Sequence, residues 1–123
     1  SDELALEAAL EQLRLDVAGD YYDLQQADES VRINQAAVRN ARISLRDTQA
    51  LERAGLGTRF DVLQAEVQLA DALQQLTNAR AQQQTRRRQL AQRLSLANNI
   101  DLAAADPVVA AGNWNLSLEQ SIV

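Results

Sequence analysis

Glu52-Arg53-Ala54-Gly55-Leu56-Gly57-Thr58-Arg59-Phe60-Asp61-Val62-Leu63 is a tight reversal between two long heptad-patterned segments. Two of the chain's four glycines fall here, and from residue 20 to residue 106 there is no other glycine and no proline. Gly55 suits the left-handed position that closes a helix. Thr58, with Asp61 three residues on, reads as an acidic variant of the capping box that opens the next helix. Asp61 also puts negative charge in a first turn, where the helix dipole favours it. Leu56 is expected to fold inward against the start of the second helix. A reversal so placed predicts an antiparallel helical hairpin.

The flanking segments carry the matching periodicity. In the first, Leu10, Val17, Leu24, Val31, Val38 and Leu45 recur every seven residues. Their companion column is weaker: Leu13, Ala27, Ala41 and Thr48 alternate with Asp20 and Asn34. In the second, Val62, Leu69, Leu76 and Leu90 repeat, interrupted by Gln83, with Ala65, Ala72 and Ala79 beside them. Such spacing keeps one face of each helix against a partner, and small alanines permit close approach. The reading is all-α, a long antiparallel two-helix coiled-coil hairpin with an irregular C-terminal segment. The hairpin covers 1–97, with a helix over about 4–54, a tip at 55–58 and a second helix over about 59–97. At 1.5 Å per residue the helices would reach roughly 75 Å and 60 Å. Residues 98–123 are expected to form a linker, broken by Pro107 and Gly112, with Ser117 capping a new helix.

Charge supports the same pairing. Ser1 to Ser30 holds nine acidic residues against Arg14, whereas Ala72 to Ile100 holds five arginines and no acid. Facing positions in a hairpin bent near Leu56 sum to about 112. Asp20, Asp23 and Asp28 then fall near Arg86, Arg87, Arg88 and Arg93, and Arg46 falls opposite Glu66. Exposed pairs are weak, so the pattern selects alignment more than it stabilises. The same charges also fit two solvated helix faces. Asp20, Asn34 and Gln83 on the seam either fix register or mark solvent access. Leu6, Leu15, Ile33, Ile43, Leu51, Leu63, Leu73 and Leu94 lie off the seam, which predicts lateral packing into a helical tunnel or bundle.

Composition excludes much else. The chain has 123 residues, no cysteine, no histidine and only four aromatic residues. No nucleophile–base constellation, phosphate loop or metal cluster stands out, so no enzyme, cofactor or metal is expected. The net charge of −5 argues against nucleic acid as a partner. No run approaches the roughly 18 apolar residues of a membrane span, and Ser1-Asp2-Glu3 lacks the basic start of a signal peptide.

The stretch from Glu52 to Glu66, followed by Leu69, Ala72, Leu76, Ala79 and Leu90, resembles the hairpin-tip signature of TolC-type outer-membrane efflux proteins. Ala18-Gly19-Asp20-Tyr21-Tyr22-Asp23-Leu24 and Ala37-Val38-Arg39-Asn40-Ala41 are similar to that family's descending helix. The resemblance implies one of two repeats in a homotrimeric channel, in which helical hairpins form a tunnel below a membrane β-barrel. It places the chain in the periplasmic portion of an outer-membrane protein, joined by a periplasmic adaptor and an inner-membrane pump. The amphipathic strands of a barrel are absent, so the chain reads as a piece of a longer protein that does not itself insert in a membrane.

By the same resemblance, Gly55, Leu56, Gly57 and Thr58 occupy the positions that receive the adaptor. Asp61 matches an acidic position that helps hold the tunnel entrance shut, with Arg59 and Arg53 as expected neighbours. Small residues at the tip permit close backbone approach. Asp61 as a simple cap and the tip as a purely structural turn remain the plain alternatives. The hairpin of a periplasmic adaptor and a helical bundle without a transport role are the other two readings. An adaptor would carry lipoyl-like β segments, and none is visible.

Overall fold

A computed structural model describes the backbone of residues 1–122 and the side chains of residues 1–103. Two helices make up the fold: α1, Asp2–Arg53, and α2, Arg59–Ile122. They pack antiparallel as a helical hairpin. The chain divides into two units, one joining Ser1–Tyr21 to Arg88–Val123 and the other spanning Tyr22–Arg87.

The unit Tyr22–Arg87 contains the bend. Its core is Val31, Val38, Leu76 and Ala79, with Leu69 and Ala72 packed against them. Ala27, Val62 and Ala65 are buried as well. All of these belong to the two heptad columns, so the seven-residue repeat does bring one stripe of each helix together. The alanines leave room for the opposing backbone, which is why a thin seam can exclude water at all. Val62, in the first turn of α2, has no exposed surface.

Polar groups in this unit follow the expected register, Arg86 meeting Asp23 as the charges predict and Asp28 taking a different partner. Arg86 Nη1 lies 3.9 Å from Asp23. Gln83, rather than an arginine, meets Asp28, its Nε2 donating over 2.7 Å. Asn34 turns back on its own helix and donates to the Ser30 carbonyl at 2.8 Å. Gln83 therefore ties the two helices, whereas Asn34 does not. Among the described residues Arg46, exposed on α1, forms no ion pair with Glu66.

In the unit Ser1–Tyr21 with Arg88–Val123, Leu13 and Leu90 are buried in the seam. Arg93 donates from Nε to Asp20 at 2.9 Å, and its Nη1 lies 3.5 Å from Asp16. The hydrogen bond and charge of Asp20 raise the guanidinium above its already high ordinary value. A raised pKa favours the folded state at every pH below the ordinary value, so this pair imparts no pH dependence near neutrality.

Off the seam, all eight apolar residues expected to lack cover are exposed, Leu15, Ile33 and Ile43 among them. The C-terminal expectation needs correcting. α2 continues past residue 97 to Ile122, and Pro107, Gly112 and Ser117 lie inside it. The alanines at 103–105 and 110–111 favour a helix, and a proline inside one removes a backbone bond and crowds the carbonyl four residues earlier, which kinks a helix as readily as it ends one.

Candidate functional site

The bend is built from two complementary caps. Gly55 has φ of 75°, the only positive φ among the described residues. This left-handed turn lets the Leu56 N–H reach the Leu51 carbonyl at 2.9 Å and the Gly55 N–H reach the Glu52 carbonyl at 3.0 Å. Those two bonds are the Schellman pattern, which satisfies carbonyls that the end of α1 would otherwise leave without donors. The Gly57 N–H adds a third bond, to the same Leu51 carbonyl, at 3.1 Å.

α2 then opens on a reciprocal capping box. The Asp61 N–H donates to Thr58 Oγ1 at 3.1 Å, and the Thr58 N–H donates to Asp61 Oδ2 at 3.2 Å. Two backbone donors at a helix start are satisfied, and the carboxylate sits at the positive end of the dipole. Three residues, Leu56 to Thr58, thus connect two closed helix ends.

The two glycines serve different needs. An added Cβ at Gly55 would meet nothing within 4 Å, so its requirement is torsional. At Gly57 a Cβ would stand 3.2 Å from the Leu51 Cβ and 3.4 Å from the Glu52 nitrogen, so its requirement is space. Gly57 is half-buried against the last turn of α1.

Leu56 does not fold inward. It is 78 % exposed, and so lacks even the contact with the last turn of α1 that often accompanies a Schellman turn. Phe60 is 69 % exposed and Val67 68 %, with Leu63 between them also open. Phe60, Leu63 and Val67 are spaced three and four residues apart, which aligns them on one side of α2. Leu63 is one of the off-seam residues expected to lack cover; Phe60 and Val67, which extend it into a stripe, carry no role in the sequence pattern. A phenylalanine in a first turn, in a chain with four aromatic residues, was the available signal.

Arg59 turns to Glu52, across the bend, at 3.9 Å. Among the described residues Asp61 makes no ion pair with Arg59 or Arg53, and its carboxylate accepts only from the Thr58 N–H. The structure therefore brings Gly55, Leu56, Gly57, Thr58, Arg59 and Asp61 into one bend, with Arg53 in the last turn of α1. No group of acids that could hold a metal ion occurs among the described residues.

The model of one protein family, described as outer membrane efflux protein, matches residues 1–95. The chain belongs to this family of outer membrane efflux proteins. The match takes in α1, the bend and α2 as far as residue 95. The family is one of outer-membrane transport channels. Among the described residues no helix of this efflux-family chain is long and apolar enough to cross a membrane. No curated protein and no solved structure matches the chain.

Proposed function

We propose that the chain is the periplasmic tunnel hairpin of one repeat of a homotrimeric efflux channel. Its bend docks a periplasmic adaptor that couples the channel to an inner-membrane pump. The observation that carries this reading is the bend itself: a family match runs through a turn locked by five backbone and capping hydrogen bonds, yet it presents Leu56 and Phe60 to solvent. A fixed backbone loses little freedom on binding, and exposed apolar side chains supply the area a partner would cover. Glycines at 55 and 57 keep the surface low, so a second helix tip approaches closely.

The exposed off-seam residues serve lateral packing with neighbouring hairpins, in coiled-coil fashion, to close the tunnel wall. At the entrance, Asp61 uses Oδ2 within its own cap and turns Oδ1 to a neighbouring hairpin. Arg53 and Arg59 are the cations of this bend that could take part in such links, and adaptor docking would separate them. Residues 98–123 lead toward the following repeat.

Binding between this chain and the hairpin of a candidate adaptor tests the reading, with Gly57→Trp and Asp61→Ala as variants. Tryptophan at 57 displaces the last turn of α1 and blocks close approach, so it is expected to weaken binding by at least about tenfold. Asp61→Ala is expected to weaken it through the loosened cap. If wild type and Gly57→Trp bind alike, the bend is not the docking surface.

A further inference from the structure

Arg32, Arg39, Arg46 and Arg53 stand seven residues apart on α1, and Arg42 lies beside them on the same flank. Seven residues are two turns, so the four arginines form one column about 32 Å long at 1.5 Å per residue. All five are exposed. Arg32 pairs with Glu29. Arg39, Arg42, Arg46 and Arg53 have no ion pair among the described residues.

This ribbon runs against the rest of the molecule. The chain carries a net charge of −5, yet residues 32–59 hold six arginines against the two acids Asp47 and Glu52. Surface helices commonly neutralise a cation with an acid three or four residues away. Around Arg39, Arg42 and Arg46 those positions hold Gln35, Ala36, Val38, Ile43, Leu45, Gln49 and Ala50, or another arginine. Arg39 and Arg42 are three apart and Arg42 and Arg46 four apart, so the neighbours on this flank repel one another. Among the described residues Arg39, Arg42, Arg46 and Arg53 make no ion pair within the hairpin, whereas Arg86 and Arg93 are drawn into cross-helix pairs.

We infer that this flank is an interaction surface for a helix that carries carboxylates at the same seven-residue repeat. A column of Glu or Asp on a helix running alongside α1 would set one acid against each arginine at about 10.5 Å intervals, a spacing fixed by helix geometry. A second copy of this chain cannot supply it. The only acids seven residues apart are Asp16 and Asp23, and both already contact arginines. The ribbon ends at Arg53, two residues before Gly55, and so is continuous with the proposed docking bend. The partner is therefore the adaptor, gripped at the bend by apolar contact and along the flank by charge. This source of the helix rests on the docking reading; the acid-column chemistry does not.

The test uses two labelled synthetic helical peptides of four heptads. One carries glutamates in a single column, and the other carries the same glutamates distributed around the helix. Fluorescence anisotropy with the full chain is expected to show the column peptide binding at least about tenfold more tightly, and weakening as salt rises above the range where the Debye length is about 10 Å. Arg39→Gln/Arg42→Gln/Arg46→Gln should reduce that binding by about tenfold or more, with helix content by circular dichroism unchanged. Arg39→Gln/Arg46→Gln, which keeps Arg42, should fall between. Equal binding of the two peptides, no effect of the substitutions, or stronger attachment to phosphatidylglycerol vesicles than to the column peptide would each overturn the inference. Gly57→Trp should leave peptide binding intact. A failure of the docking reading, seen as adaptor binding indifferent to Gly57→Trp, is thereby distinct from a failure of this one.

Discussion

Replacing Gly55 by alanine of either hand separates backbone torsion from packing at the bend. With φ at 75° and open space around the added methyl, L-alanine meets no atom and pays only for the left-handed conformation. That strain costs about 1–2 kcal/mol. Alanine also restricts the unfolded chain, which returns about 0.4–1 kcal/mol. The net loss for Gly55→Ala is then about 1 kcal/mol, or roughly 3–6 °C in Tm for a chain of this size. D-alanine adopts this φ without strain and keeps the restriction of the unfolded chain, so it should stabilise by about 0.4–1 kcal/mol. Both chains are accessible by chemical synthesis, and urea unfolding followed by circular dichroism reads the difference. If both enantiomers shift stability in the same direction, handedness of the backbone is not what Gly55 provides.

Other substitutions probe neighbouring parts. Thr58→Ala removes one half of the capping box and should cost about 1 kcal/mol in urea unfolding, with Thr58→Ser restoring most of it. Val62→Ala deletes two enclosed methyl groups and should cost about 2 kcal/mol, whereas Leu56→Ala, at an exposed site, should change stability by less than about 0.5 kcal/mol. Arg42→Glu converts two repulsive neighbours, Arg39 and Arg46, into attractive ones and should stabilise by about 0.8–2 kcal/mol while weakening capture of the acidic-column peptide. A stable variant that binds as well as wild type would show that the ribbon has no acidic partner.

The hairpin was legible because its determinants are local or periodic. Gly55, Thr58 and Asp61 specify their own caps through bonds spanning three to five residues, and the columns from Leu10 and from Val62 define one stripe per helix. The register was legible to within a turn, since complementary charges mark it. Individual partners were not: Asp28 met Gln83, and Asn34 bonded to its own helix, because side-chain choice depends on rotamers that periodicity does not fix. Leu56 was misread for a similar reason. Its direction follows from the turn after Gly55, not from its hydrophobicity. The end of α2 is not legible, because a proline such as Pro107 can kink a helix as well as end it. The arginine column at 32, 39, 46 and 53 is in the sequence, but it lies outside the apolar repeat that defines the seam.

The most direct measurement is photo-crosslinking in the assembled efflux complex, with a benzophenone amino acid at position 56 or, on the open face of α1, at position 33. The account predicts an adduct between position 56 and the adaptor, lost on Gly57→Trp. Adaptor adducts from position 33 alone, in complexes that form normally, would contradict it.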